Sequence, residues 1–415
     1  MDFDLSPLLA DSCVNTLCGV FWFEKRYSDE IIEKAYNLMY EKEEGARIRI
    51  CKEGDEYRQY VMPYEPIKLP VVNCPDMTAD EFREMLMTSE DRKISALAEH
   101  LYFQKLYHLK DADAVLMVGH HLICDGYTWG LVGRRLGELC AKLDAGEEID
   151  LEYNSYLPAV DQEKKAFNSK RFQSSCEYWR DRLKDWEGIS RISESEVDEE
   201  DIDADRYVLP VKGEALTKIM DYCKNNSLMP GALFLAAMVL YMHRLNPDKK
   251  KVVLGHNISN RASHIEKKTI GMYTAEGILC VETADDISLK ELMARIAQAG
   301  RKMFFTRPCC YDQILEIVQE ANPEVEEIRV AEFSYQVTQD LHEFGVKAEW
   351  IPNYMPEVPL EFTVFNLNAL DDIELIFDYR TATFAEGEIE KMADCFMRTA
   401  LSIAEDDSIF VKDVL

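Results

Sequence analysis

One stretch of strand, turn and helix signals constrains the fold of this chain more than any other part of the sequence. Five apolar residues at 114–118 predict a buried strand, and a glycine follows them. The next seven positions read His-His-x-x-x-Asp-Gly, with His120, His121, Asp125 and Gly126 as the fixed residues. An amphipathic helical pattern begins directly afterwards. The sequence therefore predicts that His121 lies where a rigid element ends, a position at which proteins commonly present reactive side chains.

The histidine pair allows a catalytic and a structural interpretation. Acyl transfer needs a base beside an attacking amine or hydroxyl, and a neutral imidazole can be that base near physiological pH. A carboxylate four residues after His121 can brace the turn, and Gly126 allows the turn to be sharp. The structural interpretation is a strand end with two buried, hydrogen-bonded histidines. Motifs elsewhere in the chain favour the catalytic interpretation.

The size and charge of the chain limit its domain count and its partners. Its 415 residues exceed the usual limit for one hydrophobic core and predict two domains of about 200 residues. The formal net charge of −30 repels nucleic acid and anionic membranes, so we expect neither as a principal partner. An acidic partner could dock only through a local basic or apolar patch. The longest apolar run, residues 231–242, is too short to span a bilayer and predicts a core helix.

The cysteines and the N-terminus favour a cytoplasmic protein. The 12 cysteines include no Cys-x-x-Cys pair, and Cys309 and Cys310 are adjacent, which suits neither a zinc site nor an ordinary disulfide. Residues 1–4 are acidic and lack the basic start of a signal peptide. Free thiols in a reducing cytoplasm are the simplest interpretation, and we expect no metal site.

Helix and strand signals alternate irregularly in both halves of the chain. Caps at Ser28 and at Thr78 with Glu81 predict two early helices, and Pro230 predicts the start of another. Further signals predict strands at 46–50, 207–209, 251–255, 277–281, 330–337, 361–365 and 373–379, and a closing helix at 386–404. This irregular order fits an α+β architecture better than a doubly wound sheet.

An acidic stretch separates the two predicted domains. Between residues 194 and 205, eight of twelve residues are acidic and none is basic, which predicts a solvated connector. We therefore expect an N-terminal lobe over residues 1–185, a connector over 186–206 and a C-terminal lobe over 207–415.

Several short motifs around the histidine pattern belong together. They read Glu-Gly-Ala-Arg-Ile-Arg at 44–49, Tyr-Trp-Arg-Asp-Arg-Leu at 178–183, Val-Leu-Gly at 253–255, Asn-Arg at 260–261, Ile-Gly at 270–271, Pro-Cys-Cys-Tyr-Asp-Gln-Ile at 308–314 and Phe-Ser-Tyr-Gln at 333–336. In this order and spacing the chain resembles, nearly end to end, the condensation domains of nonribosomal peptide synthetases, within the chloramphenicol-acetyltransferase-like acyltransferase superfamily. It departs from that pattern at 275–280, where the family's asparagine and arginine are absent, and at Tyr127, where the family has tryptophan.

The resemblance implies a fold and a reaction. Two chloramphenicol-acetyltransferase-like α/β sandwich lobes would form a V with a tunnel between them. Donor and acceptor carrier proteins would bring their substrates on phosphopantetheine arms, so the arms are substrates and the chain itself binds no cofactor. An acyl or peptidyl thioester would pass to the amine of a carrier-bound aminoacyl group, and an adenylation domain would act downstream or in trans. We expect a monomer.

The resemblance also implies roles for individual residues. His121 is the candidate catalytic residue, as a base or as a positioning group. The expected support of the site comes from His120, Gly126, and Asp125 paired with Arg47, and the expected tunnel lining from Tyr127, Ser334 and Gln336. No serine or cysteine lies in a nucleophile-elbow pattern, so direct transfer is favoured over a covalent acyl-enzyme.

Two alternatives stay open. One is a stand-alone acyltransferase that takes an acyl group from coenzyme A, or from one acyl carrier, to a free amine or alcohol. The other is a catalytically silent domain that recruits partner proteins. The intact histidine motif speaks against the silent domain.

Overall fold

Two compact units, each discontinuous in sequence, make up the protein. The computed structural model describes residues 15–54, 56–195, 203–337, 341–353, 355–366 and 373–414. Unit 1 comprises Met1–Asp161, Asn260–Tyr273 and Gln339–Asn353, and unit 2 comprises Gln162–Ser259, Thr274–Thr338 and Tyr354–Leu415.

Unit 1 is built on a five-stranded mixed sheet. The strands of this sheet are β1 (Thr16–Phe23), β4 (Val71–Asn73), β5 (Tyr102–His108), β6 (Asp113–His120) and a strand from late in the sequence, Val346–Ile351. A separate hairpin consists of β2 (Ile48–Glu53) and β3 (Glu56–Val61). The strand order in the sheet is late strand, β1, β6, β5, β4. The helices are α1 (Asp29–Lys42), α2 (Ala79–Met87) and α3 (Gly126–Asp144). All eight residues of β6 are buried between antiparallel β1 and β5, so the strand that ends at His120 is central to the core.

Unit 2 contains a six-stranded mixed sheet covered by helices. Its helices are α5 (Lys170–Leu183), α6 (Gly213–Asn226), α7 (Gly231–Leu245), α8 (Leu289–Thr306), α9 (Tyr311–Gln319) and α10 (Glu388–Glu405), while α4 (Leu157–Phe167) spans the division between the units. Its strands are β7 (Ala204–Val211), β8 (Lys251–Ser259), β9 (Thr274–Glu282), β10 (Ala331–Val337), β12 (Leu360–Asn366) and β13 (Ile373–Arg380), the late strand of unit 1 being β11. The strand order is β7-β13-β12-β10-β8-β9. Both units mix helices with mixed sheets, which confirms the predicted α+β class.

Local sequence signals account for several of these boundaries. The Ser28 side chain accepts a hydrogen bond from the Ile31 N–H at the start of α1, and Thr78 with Glu81 forms the predicted capping box of α2. Gly146 follows α3 with a φ of +70°, a left-handed conformation that glycine adopts without steric cost. These caps were predicted correctly because they depend on neighbours within a few residues.

The predicted core helix is α7, which is buried along almost its whole length. Within the described ranges no single helix is long and apolar enough to cross a membrane, although α6 and α7, bent by 104° at the break between them, pass that test as a pair by length and composition.

The compact units divide the chain differently from the predicted lobes. Helix α5, which we placed in the N-terminal lobe, belongs to unit 2, because its Trp179 packs into an apolar cluster with Ile278 and Cys280 of β9. Unit 1 in turn includes Asn260–Tyr273 and β11 from the second half of the sequence. Of the predicted acidic connector, residues 196–202 lie outside the described residues, and Ala204 begins β7.

Candidate active site

Two neighbouring segments hold the end of β6 and thereby place the histidine pair. The His120 N–H donates to the Leu101 carbonyl at 2.8 Å, and the His121 N–H donates to the Asn15 carbonyl at 2.7 Å. The chain then turns, and the Ile123 N–H returns to the His120 carbonyl at 3.0 Å. The backbone of both histidines is thus fixed on both sides of the turn.

His120 is buried and neutral. Only 3% of its surface is exposed, and burial together with the neighbouring His121 lowers its pKa to about 4. Its Nδ1 atom accepts a hydrogen bond from the Leu122 N–H at 3.1 Å, which places the ring proton on Nε2. His120 therefore shapes the turn through its ring, as a hydrogen-bond acceptor.

His121 differs from its neighbour in exposure and in its contacts. Its side chain is only partly buried, at the first position of the turn. Within the described ranges, no hydrogen bond engages its imidazole, whereas its backbone N–H is fixed. The ring nitrogens are therefore available to a reactant.

Asp125 caps helix α3 and holds a remote segment of unit 1. Its Oδ1 atom accepts a hydrogen bond of 2.9 Å from the Thr128 N–H, the usual N-cap interaction. Its Oδ2 atom accepts one of 2.9 Å from the Tyr273 N–H, 148 residues away in sequence. The residue as a whole is 1% exposed. Asp125 thus connects the histidine turn with the segment that ends at Tyr273.

Arg261 is the arginine that pairs with Asp125, and the predicted pairing with Arg47 is wrong. Arg261 Nη2 lies 2.9 Å from Asp125 Oδ1, with both side chains buried. Its other guanidinium bonds go to the Thr128 hydroxyl and to the carbonyls of Glu266, Thr269 and Gly271. A planar guanidinium can donate in several fixed directions at once, which suits a residue that fastens a loop to a carboxylate.

Arg47 instead fastens the chain after α1. Its Nε donates to the Tyr40 carbonyl at 3.1 Å, and its two terminal nitrogens donate to the carbonyls of Met62 and Glu41. It is 5% exposed and lies in a short helical turn before β2. These hydrogen bonds hold the α1–β2 connection and the end of β3, and none of them reaches Asp125.

Two tyrosine rings enclose the Arg261 guanidinium. Its central carbon lies 4.6 Å from the centroid of Tyr127 and 4.2 Å from that of Tyr273, distances typical of cation–π contacts. The Tyr127 hydroxyl also donates to the Lys267 carbonyl at 3.2 Å. Tyr127, which is 38% exposed, therefore helps to hold the Arg261 segment. Its role in lining a tunnel stays a prediction.

Gly126 does not form the turn that we expected of it. It is the first residue of α3 and lacks a positive φ, and the reversal is made by residues 121–123. Its exposure and its place in the first helical turn leave its N–H among the donors that have no partner within the helix.

A second buried carboxylate, which the sequence analysis did not identify, binds the segment Asn260–Tyr273 to the rest of unit 1. Glu43 is fully buried and accepts hydrogen bonds from Arg135, from Asn154 Nδ2 at 2.8 Å and from the Ile270 N–H at 3.0 Å. Burial raises its pKa, and Arg135 opposes that change. The signal available in the sequence was an acidic residue next to the Glu-x-x-Arg-x-Arg motif.

The backbone beside Glu43 approaches the same segment closely. A Cβ atom on Gly45 would lie 2.0 Å from the Ile270 carbonyl oxygen, and one on Gly271 would lie 2.3 Å from the Tyr156 ring. Both positions therefore require glycine for packing. The glycines of two family motifs thus explain why this segment can lie against the rest of unit 1.

Ser334 and Gln336 lie on β10 of unit 2. Gln336 Nε2 donates to Ser334 Oγ at 3.3 Å, as expected for side chains two residues apart on one face of a strand. Ser334 is 8% exposed and Gln336 is partly buried. Their place along a tunnel stays a prediction.

The cysteine nearest the histidines is a poor nucleophile. Cys124 is buried, its thiol donates to the His120 carbonyl at 3.3 Å, and burial raises its pKa. In the part of the chain that the structure describes, the cysteines are free thiols, and no group of three or more His, Cys, Asp or Glu residues is arranged to hold a metal ion.

A family model described as "Condensation domain" matches residues 14–415. Among curated proteins, Surfactin synthase subunit 1 from Bacillus subtilis (strain 168) is 21% identical over 371 residues, which cover 88% of this chain and 10% of that protein. Phosphinothricin tripeptide synthetase PhsC from Streptomyces viridochromogenes is 23% identical over 322 residues, covering 72% of this chain and 28% of that protein. The chain therefore spans only a minor part of the length of these relatives.

Solved structures share the fold. The first condensation domain of the CDA synthetase superposes with a TM-score of 0.80 at 14% identity, covering 98% of this chain and 94% of that one. The starter condensation domain of rhizomide synthetase RzmA, a mutant in complex with C8-CoA, superposes with a TM-score of 0.84 at 17% identity, covering 97% and 92%.

Proposed function

Because the chain belongs to the condensation-domain family, we propose that it forms an amide bond between two carrier-bound substrates. An acyl or peptidyl group leaves the thioester of a donor carrier protein and joins the amine of an aminoacyl group on an acceptor carrier protein. The observation that carries this proposal is the available imidazole of His121, on a turn whose following residues are locked by Asp125 and Arg261.

The reaction exchanges a carbon–sulfur bond for a carbon–nitrogen bond and moves one proton from nitrogen to sulfur. The neutral amine nitrogen attacks the thioester carbonyl carbon, the carbon–sulfur bond breaks, and the pantetheine sulfur leaves as a thiolate. The amine nitrogen loses a proton, and the thiolate gains one. An α-amine has a pKa near 8, so a large fraction is protonated at neutral pH and cannot attack. A group that accepts the proton, or that holds the neutral amine in line, accelerates the reaction.

We assign to His121 the role of base or positioning group for the attacking amine. Its imidazole can accept the proton or can orient the nitrogen by a hydrogen bond, and positioning alone can contribute several kcal/mol. The buried His120 is held neutral and already accepts a hydrogen bond through Nδ1, so it is unsuited to the same role. The Gly126 N–H is a candidate donor to the oxyanion that forms at the carbonyl oxygen when the amine adds to the carbonyl carbon.

Asp125, Arg261 and Tyr273 act on the reaction through geometry. They fix the start of α3, and hence one end of the turn that carries His121. A catalytic group that shifts by about 1 Å loses roughly a hundredfold in rate, so this fastening matters for turnover. The proposed reaction uses phosphopantetheine arms as substrates, takes place in the cytoplasm and depends on an adenylation domain, downstream or in trans, to load the carriers.

A second candidate function uses coenzyme A as the donor. The RzmA starter condensation domain, which has a similar fold, was solved in complex with C8-CoA. An acyl-CoA carries the same pantetheine thioester as a loaded carrier, and the same imidazole would serve the acceptor amine.

Reconstitution distinguishes these functions. The purified chain is mixed with an acyl-loaded donor carrier and an aminoacyl-loaded acceptor carrier, and intact mass reports whether the acceptor gains the acyl group. We expect transfer between the carriers and little from acyl-CoA to a free amine. Efficient turnover from acyl-CoA favours the second function. A chain that transfers nothing from either donor contradicts both and favours a partner-recruiting domain.

A further inference from the structure

A buried arginine of unit 1 is held by neutral groups. Arg49, on β2, is 3% exposed. Its Nη1 atom donates to the Ile48 carbonyl at 2.6 Å, and its Nη2 atom donates to the Tyr40 hydroxyl at 2.9 Å and to His100 Nδ1 at 2.7 Å. None of the described carboxylates lies within ion-pair distance of the guanidinium. Buried charges are normally paired with opposite ones, so this cation is not neutralised by its surroundings.

One donor of the Arg49 guanidinium has no acceptor. Its Nε atom makes no hydrogen bond with the described part of the chain. Arg47 differs, because its three guanidinium nitrogens all donate to carbonyls. In any arginine, Nε and one terminal nitrogen lie on the same edge and donate in parallel, which is the arrangement that binds both oxygens of a carboxylate. Arg49 therefore keeps a donor for a ligand on that edge.

Other buried polar atoms near Arg49 also lack partners. Tyr36 is 1% exposed, and its ring centroid lies 6.0 Å from that of Tyr40 and 5.8 Å from that of Tyr102. The Tyr36 hydroxyl and the Gln104 Oε1 atom make no hydrogen bond within the described ranges. Burial raises the pKa of Tyr36, and the charge of Arg49 opposes that rise, so the two groups interact. Water can satisfy the neutral groups, whereas only an anion neutralises the cation.

These tyrosines pack beneath the histidine turn. Gln104 Nε2 donates to the Tyr102 hydroxyl at 2.7 Å. A Cβ atom on Gly119, near the end of β6, would lie 2.7 Å from Cys124 Sγ and 3.9 Å from Tyr102 Cδ2. The packing around Arg49 is therefore continuous with the packing of the turn, and both belong to unit 1.

His100 is an exposed residue that is bound to this buried cation. An arginine only donates, so His100 Nδ1 accepts and the ring proton lies on Nε2. Burial and the charge of Arg49 lower the pKa of His100, while Glu99 opposes that change. A protonated ring cannot accept the hydrogen bond, so the contact requires a neutral imidazole. A carboxylate makes a stronger, charge-assisted bond to a guanidinium than an imidazole does.

We propose that Arg49 binds a carboxylate, which displaces His100 from the guanidinium. The two carboxylate oxygens accept from Nε and from the terminal nitrogen on the same edge. One guanidinium balances one negative charge, so a carboxylate suits the site better than a phosphate monoester, which carries nearly two. Two sources have this chemistry: a free carboxylic acid, and a carboxylate at the end of an acyl group on a pantetheine thioester. The second source rests on the proposed function.

Calorimetric titration tests the site without requiring turnover. The probes are glutarate, a glutaryl-pantetheine thioester, and a pentanoyl-pantetheine thioester whose acyl chain has the same length and ends in a methyl group. We expect a carboxylate probe to bind, and Arg49→Gln to raise its Kd about tenfold or more, because a charged hydrogen bond is lost. Glutarate that binds as tightly as glutaryl-pantetheine supports the free acid as the source. Glutaryl-pantetheine that binds more tightly than both other probes supports the acyl group.

An exposed variant keeps the test valid even if Arg49→Gln fails to fold. His100→Ala removes the competing imidazole, so the Kd of the carboxylate probe should fall about tenfold. In the wild type that Kd should fall as the pH decreases from about 7 to about 6, because the displaced imidazole takes up a proton more readily than the bound one. His100→Ala should abolish this dependence. His264→Ala, at another exposed histidine of unit 1, is the control and should keep the wild-type Kd within about twofold.

Two results would overturn the carboxylate site. One is that neither glutarate nor glutaryl-pantetheine binds to the wild type, and the other is that His100→Ala and a folded Arg49→Gln both bind them as the wild type does. Thermal melting shows whether each variant is folded. Absence of acyl transfer by the wild type contradicts the proposed function, whereas the titrations stand by themselves.

Discussion

Arg261 Nη2 donates a hydrogen bond of 2.9 Å to Asp125 Oδ1, and the side chains of both residues are 2% exposed. The two residues are 136 positions apart in sequence. Charges removed from water must be paired and hydrogen-bonded, and this pair satisfies both requirements through the Tyr273 N–H and the carbonyls around Arg261. The pair therefore couples the conformation of a remote loop to that of the histidine turn.

Removal of the Arg261 guanidinium should destabilise unit 1 and slow the reaction. Arg261→Ala leaves the Asp125 carboxylate buried without its cation, which typically costs about 3–5 kcal/mol. Chemical denaturation and turnover measure the two effects. Arg134→Ala is the control, because Arg134 is exposed and forms only a pair with Glu138 and a cation–π contact with Phe344, so its loss should cost about 1 kcal/mol. Equal denaturation midpoints for the two variants would mean that the buried pair contributes nothing.

Replacement of His121 should remove activity and preserve the fold. We expect His121→Ala to lower kcat by about 10²–10⁴, the usual contribution of a general base, with little change in melting temperature because the ring is partly exposed. His120→Ala is the matched variant, and its main effect should be on stability since that ring is buried and hydrogen-bonded. A His121→Ala enzyme with wild-type kcat would remove the imidazole from the mechanism.

The close approach at Gly45 should make even one methyl group costly. Gly45→Ala places a Cβ atom 2.0 Å from the Ile270 carbonyl oxygen. Because neither atom can move without a backbone shift, we expect the free energy of unfolding to fall by about 1–3 kcal/mol. Gly300→Ala on α8 meets nothing within 4 Å and should be neutral or stabilise by up to about 1 kcal/mol. Urea denaturation compares the two. Similar midpoints would contradict the packing at Ile270.

Two carboxyl groups of unit 2 should make its stability depend on pH. Burial raises the pKa of Glu332 and of Glu361 to about 8, from an ordinary value of 4.5. Between those values the folded state holds protons that the unfolded state has released. The free energy of unfolding should therefore fall as the pH rises from about 4.5 to about 8, and should change little above it through these groups. The groups that face these two carboxyls are Arg329, Glu357, Asn257, Glu276 and Asp378.

Thermal melting across this pH range checks that dependence. The double variant E332Q/E361Q should reduce the decline in melting temperature, because its amides do not titrate. Part of the decline should persist, since burial also raises the pKa of Glu276 to about 8. Glu291→Gln, at the exposed start of α8, should leave the decline unchanged. A wild-type melting temperature that rises between about pH 6 and about pH 8 would contradict the raised pKa values.

The elements that the sequence predicted best are those with local signals. The caps of α1 and α2 and the end of α3 depend on residues within one helical turn, and each was found. β1 was missed although Thr16–Phe23 is a fully buried run that is rich in aromatic residues, a signal that was available. β11 alternates weakly, and its pairing with β1 joins residues more than 300 positions apart, which no local pattern reveals.

In the candidate site, too, the features with local sequence signals were predicted and those that depend on long-range contacts were not. The motif identified His121 and Asp125, and the turn follows from the strand that precedes it. The partner of Asp125 was misassigned because Arg47 and Arg261 both lie in family-like motifs, and only the tertiary structure decides between them. Glu43 was missed because its hydrogen-bond partners, Arg135, Asn154 and Ile270, are far from it in the sequence and spread over more than 130 positions.

The discontinuity of unit 1 affects how the protein is made. During synthesis the ribosome produces β1 and the histidine turn early, but β11, which covers the β1 edge, ends at Ile351. Until Arg261 and then β11 emerge, the nascent first half has an open sheet edge and an Asp125 that lacks its cation. A chimera joined in the middle of the chain would separate these partners in the same way, so recombination of such domains has to keep both late segments with the first half.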